Sequence, residues 1–176
     1  REAAAEALQR VGPHAAGPLP GNGQCSLSVA LETCLAEFLA YEHATIFANG
    51  WAAGLGVLRT LLTAQDRVVL AGSAWLCMRQ AAELATPNIS TLSEIKPGAT
   101  GRGVLEDQDM LGTVDVVTGS MARSLAAPAG FVASNHPALR DALRQVGTGQ
   151  GCSSALPPVQ AAAALAALKL AAGTEG

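Results

Sequence analysis

Apolar positions along the chain fall into two rhythms. Between Ser28 and Ala40, residues Val29, Leu31, Leu35, Phe38 and Leu39 form a stripe near helical spacing, with Glu32 and Glu37 off it. Ser28 stands where a side chain can cap the amino end. Short apolar runs read instead as buried strands: Ala44–Ala48, Arg67–Leu70, Ile89–Leu92, Val114–Val117 and Gly130–Ala133. Helices are predicted over Trp51–Leu62, over Ala138–Val146 and along the Ala/Leu-rich stretch that begins at Pro157–Pro158. Pro137 and Asn135 supply start signals for the second of these, and His136 reads as part of the same start. Arg1–Val11 is an Ala-rich helix with a weak apolar face, and the Gly- and Pro-rich Gly12–Gln24 is loop. Strands alternating with helices predict an α/β fold with a mostly parallel sheet flanked by helices.

Two places in this pattern bring backbone within reach of a ligand. Ala44–Ala48, the turn Asn49–Gly50 and the helix from Trp51 put free N–H groups and a positive dipole end at one point. Any α/β crossover has that shape, so the spacing alone does not name a ligand. The second place is Val114–Ser134, two strands joined by a turn on Thr118–Gly119–Ser120 and an irregular Ala-rich link. No lysine occurs between Lys96 and Lys169, and Arg123 lies in the link.

Composition narrows the function classes. With 49% hydrophobic residues in 176, the chain can bury one sizeable core. A net charge of −3 offers no basic field for nucleic acid, and 3% aromatic residues leave little for base stacking. Cys25, Cys34, Cys77 and Cys152 are scattered without a CxxC pair, which reads as idle thiols in a reducing compartment. No histidine stands at zinc-ligand spacing from them. No run of eighteen apolar residues occurs, and Val159–Ala172 is too short to span a bilayer.

Four segments, in order, resemble the α-oxoamine synthases, the pyridoxal-phosphate acyltransferases that join an amino acid to an acyl-CoA. They are LETCLAEFLAYEHATIFANGWAAGLGVLRTLL (Leu31–Leu62), GATGRGVLE (Gly98–Glu106), the Val114–Ser134 stretch and CSSALPPVQAAAALAAL (Cys152–Leu168). Within the family the chain is most similar to the first, non-catalytic subunit of serine palmitoyltransferase. Met121, Leu125–Ala126, Gly130–Phe131 and Gly149–Gln150–Gly151 carry that likeness.

The resemblance implies the large domain of a fold-type-I pyridoxal-phosphate transferase, here incomplete. It implies an amino-terminal helix and loop over 1–24 and a truncated class I/II aminotransferase-like domain over 25–176. It also implies that the cofactor phosphate sits on the backbone of Asn49, Gly50 and Trp51. Ser153 and Ser154 either reach across a dimer to the partner's cofactor or merely satisfy a turn. The family's Schiff-base lysine is matched by Arg123, which has no free amine to attack an aldehyde. Its ring-stacking histidine is matched by Trp75, read as a volume filler in a core or interface. Between Leu92 and Gly98 the chain lacks the strand that carries the family's pyridine-binding aspartate, which places an internal deletion near 92–98. The resemblance therefore implies a non-catalytic partner of a lysine-bearing subunit, which itself holds pyridoxal phosphate; the alternatives are an active α-oxoamine synthase or aminotransferase-like enzyme that uses Lys96 or Lys169, or a truncated fragment without function. Its site would be the cytoplasmic face of the endoplasmic reticulum membrane, or the cytoplasm for a soluble form. The first residue is Arg1 rather than Met, which reads as a fragment or partial sequence.

Overall fold

A computed structural model describes residues 1–71, 74–92, 105, 109–110, 112–123, 125–147, 150 and 153–173. In chain order the elements are α1 (Glu2–Val11), α2 (Ser26–Leu39), β1 (His43–Phe47), α3 (Gly50–Leu61), β2 (Val68–Ala71), α4 (Leu76–Ala85) and β3 (Ile89–Leu92). After these come β4 (Val116–Ser120), β5 (Gly130–Ser134), α5 (Pro137–Val146) and α6 (Pro158–Ala171). The expected GATGRGVLE turn and the Leu92–Gly98 junction lie outside the described residues beyond Leu92.

Two local readings are corrected. Helix α2 begins two residues before Ser28, which sits in its first turn rather than at its cap. The buried Ser28 hydroxyl accepts the Cys25 N–H at 2.9 Å and donates to the Cys25 carbonyl at 2.7 Å. Thr118–Gly119–Ser120 is strand rather than turn. Its ladder with β5 continues to Met121, whose N–H meets the Ala129 carbonyl at 2.8 Å, and the chain reverses only over Met121–Ala127. A side chain at Gly119 would meet the Phe131 ring at 2.6 Å, so this glycine makes room within the sheet rather than bending it. Asn135 stands just before α5, as expected of a start signal, with His136 the N-cap and Pro137 at the first helical position. The Asn135 side chain accepts the Glu42 N–H at 2.9 Å and so ties the start of β1 to the end of β5.

The strands form two sheets among the described residues. One has the order β1-β5-β4 with both ladders antiparallel, so β1 and β4 run the same way with β5 reversed between them. The other is the parallel pair β2-β3. Helices cover both faces of the first sheet, as an α/β layer requires. On one face Ile46, Ala133 and Ala129 join Leu31, Leu35, Leu39, Leu156 and Leu168 from the α2 and α6 side. On the other, Phe47 and Val132 pack with Ala53 and Val57 of α3 and with Leu139 and Leu143 of α5. Leu58 of α3 packs both against this second cluster and against the separate cluster of Val68, Leu70 and Ala82. One helix thus carries both sheets.

The outer edge of β1 is closed by side chains. Glu32 accepts the Ile46 N–H at 3.1 Å, and Gln150 donates to the Ile46 carbonyl at 2.6 Å. Glu32 is 6% exposed and also receives a short hydrogen bond from the Arg144 guanidinium. Burial pushes its carboxyl above the ordinary glutamate value, against the pull of Arg144 and the Ile46 amide. Two polar side chains therefore stand where a further strand would pair.

Candidate functional site

The site is built where the ends of β4 and β5 meet the first turn of α3. Asn49 is the extended N-cap, and its side-chain oxygen accepts the Ala52 N–H at 2.8 Å. That bond satisfies one of the first-turn donors. Gly50 lies against Ser120, whose Cβ would stand 2.5 Å from a Cβ added to the glycine. Gly130 at the start of β5 packs so closely on Asn49 that any side chain there would overlap the Asn49 carbonyl. Two glycines thus let a helix start and two strand ends come together. The Ser120 hydroxyl accepts the Ala122 N–H at 3.3 Å, which steers the chain toward Arg123.

Arg123 and Trp75 form the rim. The Arg123 guanidinium carbon lies 4.7 Å from the centroid of the Trp75 ring, which is within cation–π range. Trp75 is 48% exposed, so of the two places expected for it, core or interface, the core of this chain is excluded: one face holds Arg123 and much of the rest meets solvent. The adjoining Leu76 and the helix-leading Trp51 are also exposed. Met78, one turn into α4, lies against Gly54 of α3 and locks the two helices side by side.

The five candidate cofactor residues are not brought together. Asn49, Gly50 and Trp51 share the α3 amino end, with the Asn49 side chain already engaged on its own helix. Ser153 and Ser154 are exposed and adjoin Ala155, whose N–H donates to the Gly17 carbonyl at 2.8 Å. No hydrogen bond or apolar cluster among the described residues joins them to Asn49–Trp51.

Pyridoxal phosphate is the group the resemblance implies. The α3 terminus retains main-chain donors at Gly50 and Trp51 suited to a phosphate. Among the described residues of this site the aldehyde end finds no amine: position 123 is arginine, and its guanidinium is stacked on the indole. Lys169, the one lysine among the described residues, is on α6 and lines a groove with Glu6 and Arg10 of α1. The described residues therefore fit the phosphate of the cofactor but not its covalent attachment, and no catalytic step follows from them.

Sequence reading missed the contact between Arg123 and Trp75, because 48 positions of chain separate them and neither lies on a periodic stripe. It also missed the role of Gln150. The signals were present in both cases: a lone glutamine between glycines, and a Trp beside a helix start.

No protein-family model matches the chain. In sequence it is similar to serine palmitoyltransferase of Caulobacter vibrioides, at 24% identity over 226 residues, covering 95% of this chain and 56% of that protein. It is 40% identical to the erythroid-specific, mitochondrial 5-aminolevulinate synthase of Gallus gallus over 79 residues, 45% of this chain and 15% of that one. Among solved structures, Sphingomonas wittichii serine palmitoyltransferase superposes with a TM-score of 0.88 at 23% identity, over 97% of this chain and 57% of that one. Serine palmitoyltransferase of S. paucimobilis with bound PLP–myriocin aldimine gives 0.88 at 22%, over 99% and 58%. The 8-amino-7-oxononanoate synthase of Francisella tularensis gives 0.81 at 15%, over 99% and 65%. The fold is accordingly that of the fold-type-I pyridoxal-phosphate enzymes, and this chain spans little more than half of the serine palmitoyltransferases it matches. Homology to these enzymes supports the α-oxoamine synthase family as its relatives.

Proposed function

We propose that, within the α-oxoamine synthase relationship these homologies support, the chain is a non-catalytic partner in a serine palmitoyltransferase-like assembly. The observation that carries the reading is Arg123: it stands where the resemblance implies a Schiff-base lysine, and its side chain is engaged on Trp75. A guanidinium held this way provides shape and positive charge but no nucleophile. The chemistry then belongs to a lysine-bearing subunit, which would hold pyridoxal phosphate and condense serine with palmitoyl-CoA as carbon dioxide leaves. Exposed Trp51, Trp75 and Leu76 at the rim supply apolar surface for that partner. Ser153 and Ser154, exposed and free of the local site, suit contacts across the interface.

No helix among the described residues is long and apolar enough to cross a membrane. In this reading, attachment to the endoplasmic reticulum comes through the partner or a further segment. The internal deletion near 92–98 is part of the same reading. It is supported by the relative's 226 aligned residues, several dozen more than this chain supplies.

Co-expression with a lysine-bearing serine palmitoyltransferase subunit tests the role. Co-purification and a gain in condensation activity are expected. Separate elution with no gain rejects it. Activity of the purified chain alone with serine, palmitoyl-CoA and pyridoxal phosphate rejects it in favour of a catalyst that uses another amine.

A further inference from the structure

We infer that Gln150 is a positioning residue: its buried side chain, tied to β1, fixes Ser153 and Ser154 as the hydroxyls this chain offers across an interface. What the two serines touch rests on the subunit role proposed above; how they are held does not.

Gln150 is 2% exposed and donates through Nε2 to the Ile46 carbonyl at 2.6 Å. Its main-chain N–H donates to the Gly147 carbonyl at 2.9 Å, and the Gly147 N–H in turn reaches the Leu143 carbonyl of α5 at 3.2 Å. The Ile46 N–H is taken by Glu32, which also holds Arg144 of α5. Gln150 is thus joined to the end of α5 through its backbone and to β1 through its side chain. Glycines flank it on both sides, and glycine backbone has the most freedom to lose. Position along this stretch therefore comes from the glutamine side chain. From Gln150 to Ser153 the chain can extend no more than about 11 Å.

A second anchor lies on the far side of the serines. Ala155 donates its N–H to the Gly17 carbonyl at 2.8 Å and packs with Ala15 and Leu19. Gly23 closes on it so tightly that an added Cβ would stand 2.8 Å from the Cβ of Ala155. Leu156 then enters the core on the α2 and α6 side. Only four residues, Gly151 to Ser154, separate the two anchors, and Ser153 and Ser154 are exposed. Hydroxyls on a short span fixed at both ends have little freedom left to lose on binding. Each can donate to an anionic oxygen. In the subunit reading the matching group is the phosphate of the pyridoxal phosphate that the partner holds.

Backbone order is measured first, by nitrogen relaxation on the full chain. Order parameters of about 0.85 are expected at Ser153 and Ser154, falling to about 0.6 or below in Gln150→Met, which keeps the side-chain length and removes the donor. Unchanged order in the variant means that Gln150 only seals the β1 edge and overturns the proposal, as do values below about 0.6 in the original chain. If Gln150→Met does not fold, the order of the original chain decides alone. The second measurement is calorimetric titration of the complex with a lysine-bearing subunit, using pyridoxal phosphate and pyridoxal as probes. Gln150→Met and the double variant Ser153→Ala/Ser154→Ala should each weaken pyridoxal phosphate binding about fivefold and leave pyridoxal unchanged. Gln150→Met should add nothing in the double-alanine background. Equal losses for both probes, or losses that add, overturn the positioning role. Failure of the two chains to associate rejects the subunit role and the contact with it, while the order parameters still judge Gln150.

Discussion

The guanidinium of Arg123 lies 4.7 Å from the centre of the Trp75 indole, joining the loop after β4 to the start of α4. The contact places a permanent cation on the face of one of only two tryptophans in the chain. Arg123→Ala is expected to change tryptophan emission in intensity and wavelength, and the change should vanish in a Trp75→Phe background. Because both groups meet solvent, stability should fall by no more than about 1 kcal/mol. An unchanged spectrum would remove the contact from the solution structure.

Gly130 and Gly50 hold the junction of helix and strands together by having no side chain. Gly130→Ala forces a methyl into the Asn49 carbonyl and should cost about 1–3 kcal/mol in urea unfolding. Gly50→Ala meets the Ser120 side chain instead, so Ser120→Gly should recover part of its loss but none of the loss from Gly130→Ala.

Asn49→Ala removes the bond to the Ala52 amide and should destabilise the chain by about 1 kcal/mol, while Asn49→Asp should be close to neutral. Ala40 offers the opposite sign. It ends α2 in the left-handed region at φ 60°, so Ala40→Gly is expected to stabilise by about 1 kcal/mol.

Glu32 makes stability depend on pH. Its folded carboxyl titrates above the ordinary value of 4.5, chiefly because burial penalises the charge. A raised folded value means that this contribution is fully present below about pH 4.5 and is lost as pH rises through the folded value. Glu32→Gln keeps an oxygen for the Ile46 amide and removes the titration. The stability of the original chain relative to the variant should therefore decline as pH rises above 4.5. Unfolding curves at a series of pH values check the slope. Asp66 acts in the other direction: Thr63 lowers its carboxyl through N–H and hydroxyl bonds, so its contribution disappears as pH falls.

The legible part of the fold was the part set by local periodicity. Ile89–Leu92 was read with its observed bounds, and β1, β2, β5, α1, α2, α3, α5 and the start of α6 lay within one or two residues of theirs, whereas α4 was not read as a helix. Errors came where tertiary contact overrides local signal. Thr118–Gly119–Ser120 has turn composition, yet the ladder with β5 and the Phe131 ring hold it extended. Ser28 has capping chemistry, but the cap forms one turn earlier and Ser28 reaches back to it. The strand–turn–helix junction at Asn49–Trp51 was legible from spacing as a local shape, whereas the pairing of Arg123 with Trp75 depends on how α4 lies beside α3, which no short window encodes. Ser153 and Ser154 came from the resemblance, with a role across a dimer, and in this chain they are exposed beside Ala155, whose N–H bonds the Gly17 carbonyl.

The sealing of β1 by Glu32 and Gln150 bears on how the protein can associate. A three-stranded sheet with two live margins could add neighbours without end, as fibre-forming chains do. With the outward N–H and C=O of Ile46 both taken by side chains, another strand cannot join that side of the sheet without displacing Glu32 and Gln150, so sheet growth from the β1 side is blocked at its middle.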